Sequence, residues 1–253
     1  TLVNTFNDII RPTTYEEISS ICLSDSERYV YPKYPNCDRG RCGWAPCADD
    51  ASFVKMLIDI FKRNYNIRNV YMIGNSSGGT FVNSYVCKYP ESITSAISIN
   101  AMSRSGFGCT PNQPVNFISY ASLKDTSVPP IGGVSADGLF YETQEDLINS
   151  WVDKFECKDK TSTTYKHYET FNENLFSDCL GGIKVISILN LDSDHMWPEA
   201  GFNKDNGISS YTNYGTCVTD IQNEFKIPKC YRTNDRWGSE FILKKLFEIN
   251  NPN

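Results

Sequence analysis

The sequence predicts an α/β fold in which a mostly parallel sheet is flanked by helices. Three observations predict it. Short apolar runs alternate with longer stretches of helical spacing along the chain, the pattern that sets helices on both faces of a parallel sheet. A turn rich in small residues, Gly74-Asn75-Ser76-Ser77-Gly78, joins one such run to a helical stretch. The length of 253 residues suffices for one large core. At this size roughly 70–75% of the unfolded chain's surface can be buried, without help from a metal or cofactor. No repeat or low-complexity linker divides the chain, so residues 1–253 are expected to form one domain.

Taken in order, TLVNTF (Thr1–Phe6) and RYVYP (Arg28–Pro32) are strand candidates. Asp50–Arg63 places Phe53, Met56, Leu57, Ile60 and Phe61 at helical spacing. Asn69–Gly74 is a short buried strand, and a helix over Gly78–Lys88 follows it. Ser95–Asn100, Val115–Tyr120 and Lys184–Asn190 are further strand runs. Thr143 is placed to cap a helix, with Asp146 three residues on to return the hydrogen bond. Trp237–Ile249 reads as a closing helix, whereas Gly201–Arg236 is long, polar and irregular, with Cys217 and Cys230 as a staple for it. In a sheet of this kind the reactive groups gather on loops at the carboxyl ends of the strands.

Composition removes several classes of function. Lys plus Arg is 24 and Asp plus Glu is 30, a net charge of −6. An acidic chain without a basic run is a poor partner for nucleic acid. No uninterrupted apolar stretch is long enough for a membrane span. The ten cysteines form no Cys-x-x-Cys pair and only two histidines accompany them, so a metal site is not expected. Scattered cysteines fit disulfides in an oxidising compartment better than buried free thiols, and a secreted, extracellular monomer is expected. The chain begins Thr-Leu-Val, without Met, and is expected to be a processed or trimmed product.

The motif Gly74-Asn75-Ser76-Ser77-Gly78 has the form G-x-S-x-G between a strand and a helix. There a strained turn lifts a serine hydroxyl above the sheet, and small neighbours let strand and helix approach. Ser76 is the candidate nucleophile, and the Ser77 backbone N–H, at the helix start, is a candidate oxyanion donor. The bland alternative is a glycine-rich connection. Asn75-Ser76-Ser77 also fits a glycosylation sequon, but a sugar there would block the turn.

A serine hydroxyl needs a base. His195 follows the strand run Lys184–Asn190, whereas His167 lies in an alternating polar and aromatic stretch that reads as a surface strand or loop. His195 is therefore the candidate base, against the plain reading of a surface-loop histidine. The acid of such a site precedes the histidine, and Asp125 follows the strand run that starts at Val115. Asp192 and Asp194 lie too near His195 in sequence for the usual two-loop geometry. The expected catalytic set is Ser76, Asp125 and His195.

These residues sit in segments that resemble a family. CADDASFVKMLIDIFKRNYNIRNVYMIGNSSGG (Cys47–Gly79), KDTSVPPIGG (Lys124–Gly133) and DHMWPEA (Asp194–Ala200) are similar to the secreted esterases that group polyhydroxybutyrate depolymerases with feruloyl and acetylxylan esterases of carbohydrate esterase family 1. The resemblance implies an α/β-hydrolase fold and gives Ser76, Asp125 and His195 the roles of nucleophile, acid and base, with no cofactor. It also implies that the chain starts where the third strand of that fold starts, the first two being trimmed or lost. The family carries a His-Gly pair after an early strand; here Phe6-Asn7 stands at that place. The second oxyanion donor is then expected from the backbone near Asn7 or Asp8.

The same resemblance pairs Cys157 with Cys179. Cys217–Cys230 is the next expected pair. Cys87–Cys109 would tie the helix after Ser76 to the loop after Asn100. Cys22, Cys37, Cys42 and Cys47 would pair among themselves. Trp197, Trp44 and Tyr120 are the aromatic candidates for an acyl pocket, with core packing as the competing role. The expected activity is feruloyl esterase on plant cell-wall xylan, its partner a polysaccharide ester or small aromatic ester. Acetylxylan esterase and polyester depolymerase are the alternatives. A catalytically weak carbohydrate-binding relative is the alternative from another class.

Overall fold

A computed structural model describes residues 50–103, 108–136, 140–167, 169–198 and 237–250. The expected strands at Thr1–Phe6 and Arg28–Pro32, the segment Gly201–Arg236, the candidates Asn7 and Trp44, and Cys22, Cys37, Cys42, Cys47, Cys217 and Cys230 lie outside the described residues.

The elements run α1 (Asp50–Asn64), β1 (Tyr71–Asn75), α2 (Ser77–Lys88), β2 (Ser95–Ile99), β3 (Asn116–Ser122), β4 (Gly133–Val134), β5 (Phe140–Tyr141), α3 (Gln144–Lys154), β6 (Asp159–His167), β7 (Glu169–Ser177), β8 (Val185–Asn190) and α4 (Trp237–Glu248). The main sheet has the order β1-β2-β3-β8-β7-β6, and β4 with β5 forms a small ribbon. Strands β1, β2, β3 and β8 run parallel, whereas β7 is antiparallel to both β8 and β6. The elements expected between residues 50 and 198 are found within a residue or two at each end. Two features were not expected: the β6–β7 hairpin, which the sequence showed only as an alternating surface stretch around His167, and the short β4–β5 ribbon.

Period-two alternation sorts the parallel strands into two faces. Ile97, Ile99, Ile118, Ile186 and Ile188 pack on one side with Ile242 and Leu246 of α4. Ala96, Phe117, Ala121 and Val185 face the other side, toward Val82, Leu147 and Trp151 of α2 and α3. Trp151 stacks on Phe117 with ring centroids 4.2 Å apart. Small side chains on this second face let the helices sit close. Ser98 Oγ donates to the Gly79 carbonyl at 3.3 Å, and a Cβ on Gly79 would stand 2.6 Å from that of Ala101.

Helix α3 starts as expected. The Asp146 N–H donates to Thr143 Oγ1 at 2.8 Å, and the Thr143 N–H donates back to Asp146 Oδ2 at 3.1 Å. The next residue, Gln144, is buried, and its Nε2 donates to the carbonyls of Ser119 and Ile188 at 3.0 and 3.1 Å. One amide thus fastens the helix start across β3 and β8.

Helix α1 forms where its spacing predicts it but turns another face inward. Ala51 is buried and Val54 and Ile58 pack on the core, whereas Phe53, Met56 and Phe61 are 54%, 50% and 50% exposed. The apolar arc of this helix covers more than half of its circumference, with Lys55, Asp59 and Arg63 on the remainder, so periodicity does not choose which edge of that arc is buried.

Two expected disulfides form, Cys87–Cys109 and Cys157–Cys179. Among the described residues no cysteine is free. Cys157 precedes β6 and Cys179 follows β7, so the second bridge closes the base of the hairpin as well as joining the end of α3 to the approach to β8. Among the described residues no helix is long and apolar enough to cross a membrane.

Candidate active site

Ser76 lies between the end of β1 and the first residue of α2, with φ 55° and ψ −125°. An L-residue rarely adopts this backbone, at a cost of order 1–3 kcal/mol that the surroundings must impose. They do so from both sides. The Ser76 N–H donates to the Ile99 carbonyl at 2.9 Å, and the Ser76 carbonyl accepts the Thr80 N–H at 3.0 Å. The glycines contribute unequally. A Cβ on Gly74 would collide with the Gly78 carbonyl, while one on Gly78 would meet nothing within 4 Å. Close approach therefore depends on Gly74 and Gly79, the latter just beyond the motif.

The three expected catalytic residues come together on the C-terminal edge of the sheet. His195 Nε2 lies 2.7 Å from Ser76 Oγ, and His195 Nδ1 lies 2.6 Å from Asp125 Oδ2. The Asp125 side chain is fully buried and that of His195 is 26% exposed. The other carboxylate oxygen, Asp125 Oδ1, accepts the backbone N–H groups of Ser127 and Val128, each at 2.8 Å. With Oδ1 so occupied, Oδ2 is directed at the imidazole. A carboxylate there accepts the Nδ1 proton and leaves Nε2 free to accept from the serine hydroxyl. The Ser77 N–H, at the first position of α2, has no intrahelical acceptor.

The loop carrying His195 is held by residues the sequence did not single out. Asn190, fully buried at the end of β8, uses both ends of its amide. Its Oδ1 accepts the N–H groups of Asp192 and Ser193 at 3.0 and 3.2 Å. Its Nδ2 donates to Tyr120 Oη at 2.7 Å and Glu169 Oε2 at 2.5 Å. Burial raises the Glu169 carboxyl above its ordinary value, against the bond from Asn190. Asn100, with φ 46°, closes the far side, its Nδ2 donating to the Met196 carbonyl at 2.6 Å. The acid loop is laced to the same segment through Leu123 N–H to Asn190 O at 2.8 Å and Lys124 N–H to Ser193 O at 3.1 Å. The available signal was an asparagine at each strand end, in SIN and ILN. A side chain that satisfies loop amides suits that place.

Two aromatic expectations resolve differently. Tyr120 does not line a pocket: it is fully buried in β3 against Phe171, and burial raises its hydroxyl well above the ordinary value. The alternation along β3 that buries Ile118 carries Tyr120 to the same α4-facing side. Trp197 is half-buried against the α4 side of the core, and its Nε1 donates to Ser239 Oγ at 3.2 Å. It docks the His195 loop on the closing helix.

A family model for the alpha/beta hydrolase fold matches residues 22–126, the part of the chain holding Ser76 and Asp125. With the parallel sheet and the serine turn already described, the protein has the α/β-hydrolase fold. Among solved structures, an acetyl xylan esterase from Aspergillus awamori is similar at 13% identity and a TM-score of 0.41. The match covers 58% of this chain and 62% of that one, so the chain spans about three fifths of that structure's length. No curated protein matches the sequence.

Proposed function

We propose that this protein is a serine carboxylic ester hydrolase. The observation that carries the reading is the continuous chain from Ser76 Oγ through the His195 imidazole to a fully buried Asp125, with links of 2.7 and 2.6 Å. In the proposed reaction Ser76 Oγ attacks the ester carbonyl while His195 Nε2 takes its proton. The tetrahedral oxyanion is stabilised by backbone N–H groups, that of Ser77 among them. Collapse breaks the bond to the alcohol, which leaves with the proton from His195. Water, deprotonated by the same imidazole, then attacks the acyl-enzyme, and the acid departs as Ser76 regains its proton. Asp125 holds the imidazole tautomer and stabilises the imidazolium.

The proposed substrates are esters on plant cell-wall polysaccharide, feruloyl first and acetyl second. The motifs around Ser76, Asp125 and His195 support this class. The burial of Tyr120 leaves Trp197 as the aromatic candidate near the acyl group among the described residues. The two disulfides fit an oxidising, extracellular setting.

Hydrolysis of p-nitrophenyl acetate, without added metal, tests the chemistry. Ser76→Ala is expected to lower kcat by about 10⁵-fold or more, as removal of a nucleophile that acts as a unit with its base does. An unchanged rate would refute the assignment. Methyl ferulate, acetylated xylan and a hydroxybutyrate oligomer compared on wild type and Trp197→Ala then separate the acyl classes. Feruloyl preference that falls selectively in the variant supports an aromatic acyl contact. Equal losses on all three would leave Trp197 as a loop anchor only.

A further inference from the structure

A groove of about 480 Å³ runs between α3 and the β7–β8 part of the sheet, and none of Ser76, Asp125 or His195 lines it. Its floor includes one face of the hairpin. There Ser162 Oγ donates to Asn174 Oδ1 at 2.7 Å, and Thr164 Oγ1 donates to Asn172 Oδ1 at 2.8 Å. These are cross-strand partners in register. With each amide oxygen held by a hydroxyl, both Nδ2 groups remain donors without an acceptor among the described residues. They stand two residues apart on one face of β7, about 6.5–7 Å from each other. The hydroxyl oxygens of Ser162 and Thr164 can still accept. Asn172 and Asn174 both line the groove, which therefore presents two amide donors at successive rungs, each with a hydroxyl beside it on the neighbouring strand.

The charges select against an ionic occupant. Lys160 and Glu145 contribute one charge of each sign to the lining, so no cluster of cations awaits a phosphate or carboxylate. Phe176 supplies an apolar surface low in the groove, with Lys160 Nζ 5.2 Å from its ring centre. Two amide donors over a partly apolar floor, without net charge, suit a neutral ligand with many hydroxyl groups.

The groove also points toward the reactive edge. Its upper rim includes Pro130 and Ile131, the latter 73% exposed, on the loop that leaves β3 through Asp125. Asn172 pairs with Leu189, the residue before Asn190, so the upper rung lies level with the end of β8 from which the His195 loop departs.

We propose that this groove is a subsite for the backbone of a neutral polysaccharide, holding sugar units that flank an ester presented to Ser76. This subsite rests on the esterase reading for its place in catalysis, though not for its ability to bind sugar. The test uses the full chain with Asn172→Ala and Asn174→Ala combined, and Asn172→Ser as a milder variant should the first fail to fold. An unesterified xylo-oligosaccharide is titrated into the Ser76→Ala protein by calorimetry, with and without the groove substitutions. Steady-state kinetics compare p-nitrophenyl acetate with an ester-bearing xylo-oligosaccharide. The groove substitutions are expected to weaken oligosaccharide binding and raise KM for the oligosaccharide ester by about 10-fold, the effect of losing a few hydrogen bonds. Turnover of p-nitrophenyl acetate is expected to stay within about twofold. Cleavage of the small ester with no oligosaccharide binding, or binding indifferent to the substitutions, overturns the subsite and leaves the esterase reading standing. Sugar binding that the substitutions abolish, in a protein without esterase activity, upholds the subsite and overturns the esterase reading instead.

Discussion

Strands β2 and β6 belong to one sheet and are built on opposite principles. Every residue of β2 is buried, whereas β6 is exposed along all its length except at the half-buried Tyr165. The parallel strands are covered on both faces by helices, so their sequences are short and mostly apolar or small. The hairpin borders α3 and α4 and keeps polar residues open to solvent. All three catalytic candidates leave the parallel half, from the ends of β1, β3 and β8. The hairpin contributes Glu169 to the support of the His195 loop and lends its polar face to the groove. Precise placement of a reactive group needs a backbone held from two sides, which the buried strands provide. A surface that meets a long, hydrated ligand needs exposed polar side chains instead.

Substitutions in the two regions should separate these roles. After the loss of Ser76 itself, the largest effect is expected from Asp125→Asn, which keeps the shape but can present the wrong donor to Nδ1. A loss of about 10³- to 10⁴-fold in kcat on p-nitrophenyl acetate is expected, with folding retained by circular dichroism. A loss below tenfold would remove Asp125 from the catalytic set.

Next in size is the stability contrast. Trp151→Ala removes a ring that is 1% exposed and stacked on Phe117, and is expected to cost about 3–5 kcal/mol in urea unfolding. Thr163→Ala, on the exposed strand β6, is expected to change stability by less than about 0.5 kcal/mol. Similar values for the two would mean that the hairpin carries as much of the stability per residue as the buried core.

Replacing Cys157 and Cys179 together by serine is expected to cost about 3 kcal/mol, the loop-closure contribution for a separation of 22 residues. Hydrogen exchange should show the added opening concentrated in β6 and β7. Protection lost uniformly over β2 and β3 as well would mean that the bridge secures the whole core.

The smallest effect is at the start of α3. Thr143→Ala is expected to cost about 1 kcal/mol at neutral pH. Hydrogen bonds from the Thr143 side chain and backbone hold the Asp146 carboxyl below its ordinary 3.8. Its folded value is therefore lower than its unfolded one. The contribution of the ionised cap is complete above pH 3.8 and fades as the pH falls through the folded value. The gap between wild type and variant should narrow in that acid range, and a gap independent of pH would assign the loss to helix propensity.

Much of the fold was legible because local rules and tertiary demands agree there. Thr143 and Asp146 stand at cap spacing, and the cap forms. Gly74 to Gly78 lies between an apolar run and a helical one, and Ser76 takes the strained turn. Asp125 and His195 each follow a strand run, and parallel strands bring their carboxyl ends to one edge. Local pattern failed where it allowed two answers. Phe53, Met56 and Phe61 make as good a stripe as Ala51, Val54 and Ile58, and packing against α2 and the sheet chose the second. Tyr120 has an aromatic ring fit for a pocket, and the alternation of β3 placed it in the core.

Consecutive residues suffice to locate the strands and helices of the parallel half and the three residues that approach one another at its edge. Period, capping and the order of motifs are local properties written into consecutive residues. What holds those three residues in register comes instead from packing between distant parts of the chain. Asn190 meets Tyr120 and Glu169, and Asn100 meets Met196, across separations of up to 96 residues. Each of these bonds depends on the packing that brings distant strand ends together, and no local pattern encodes it.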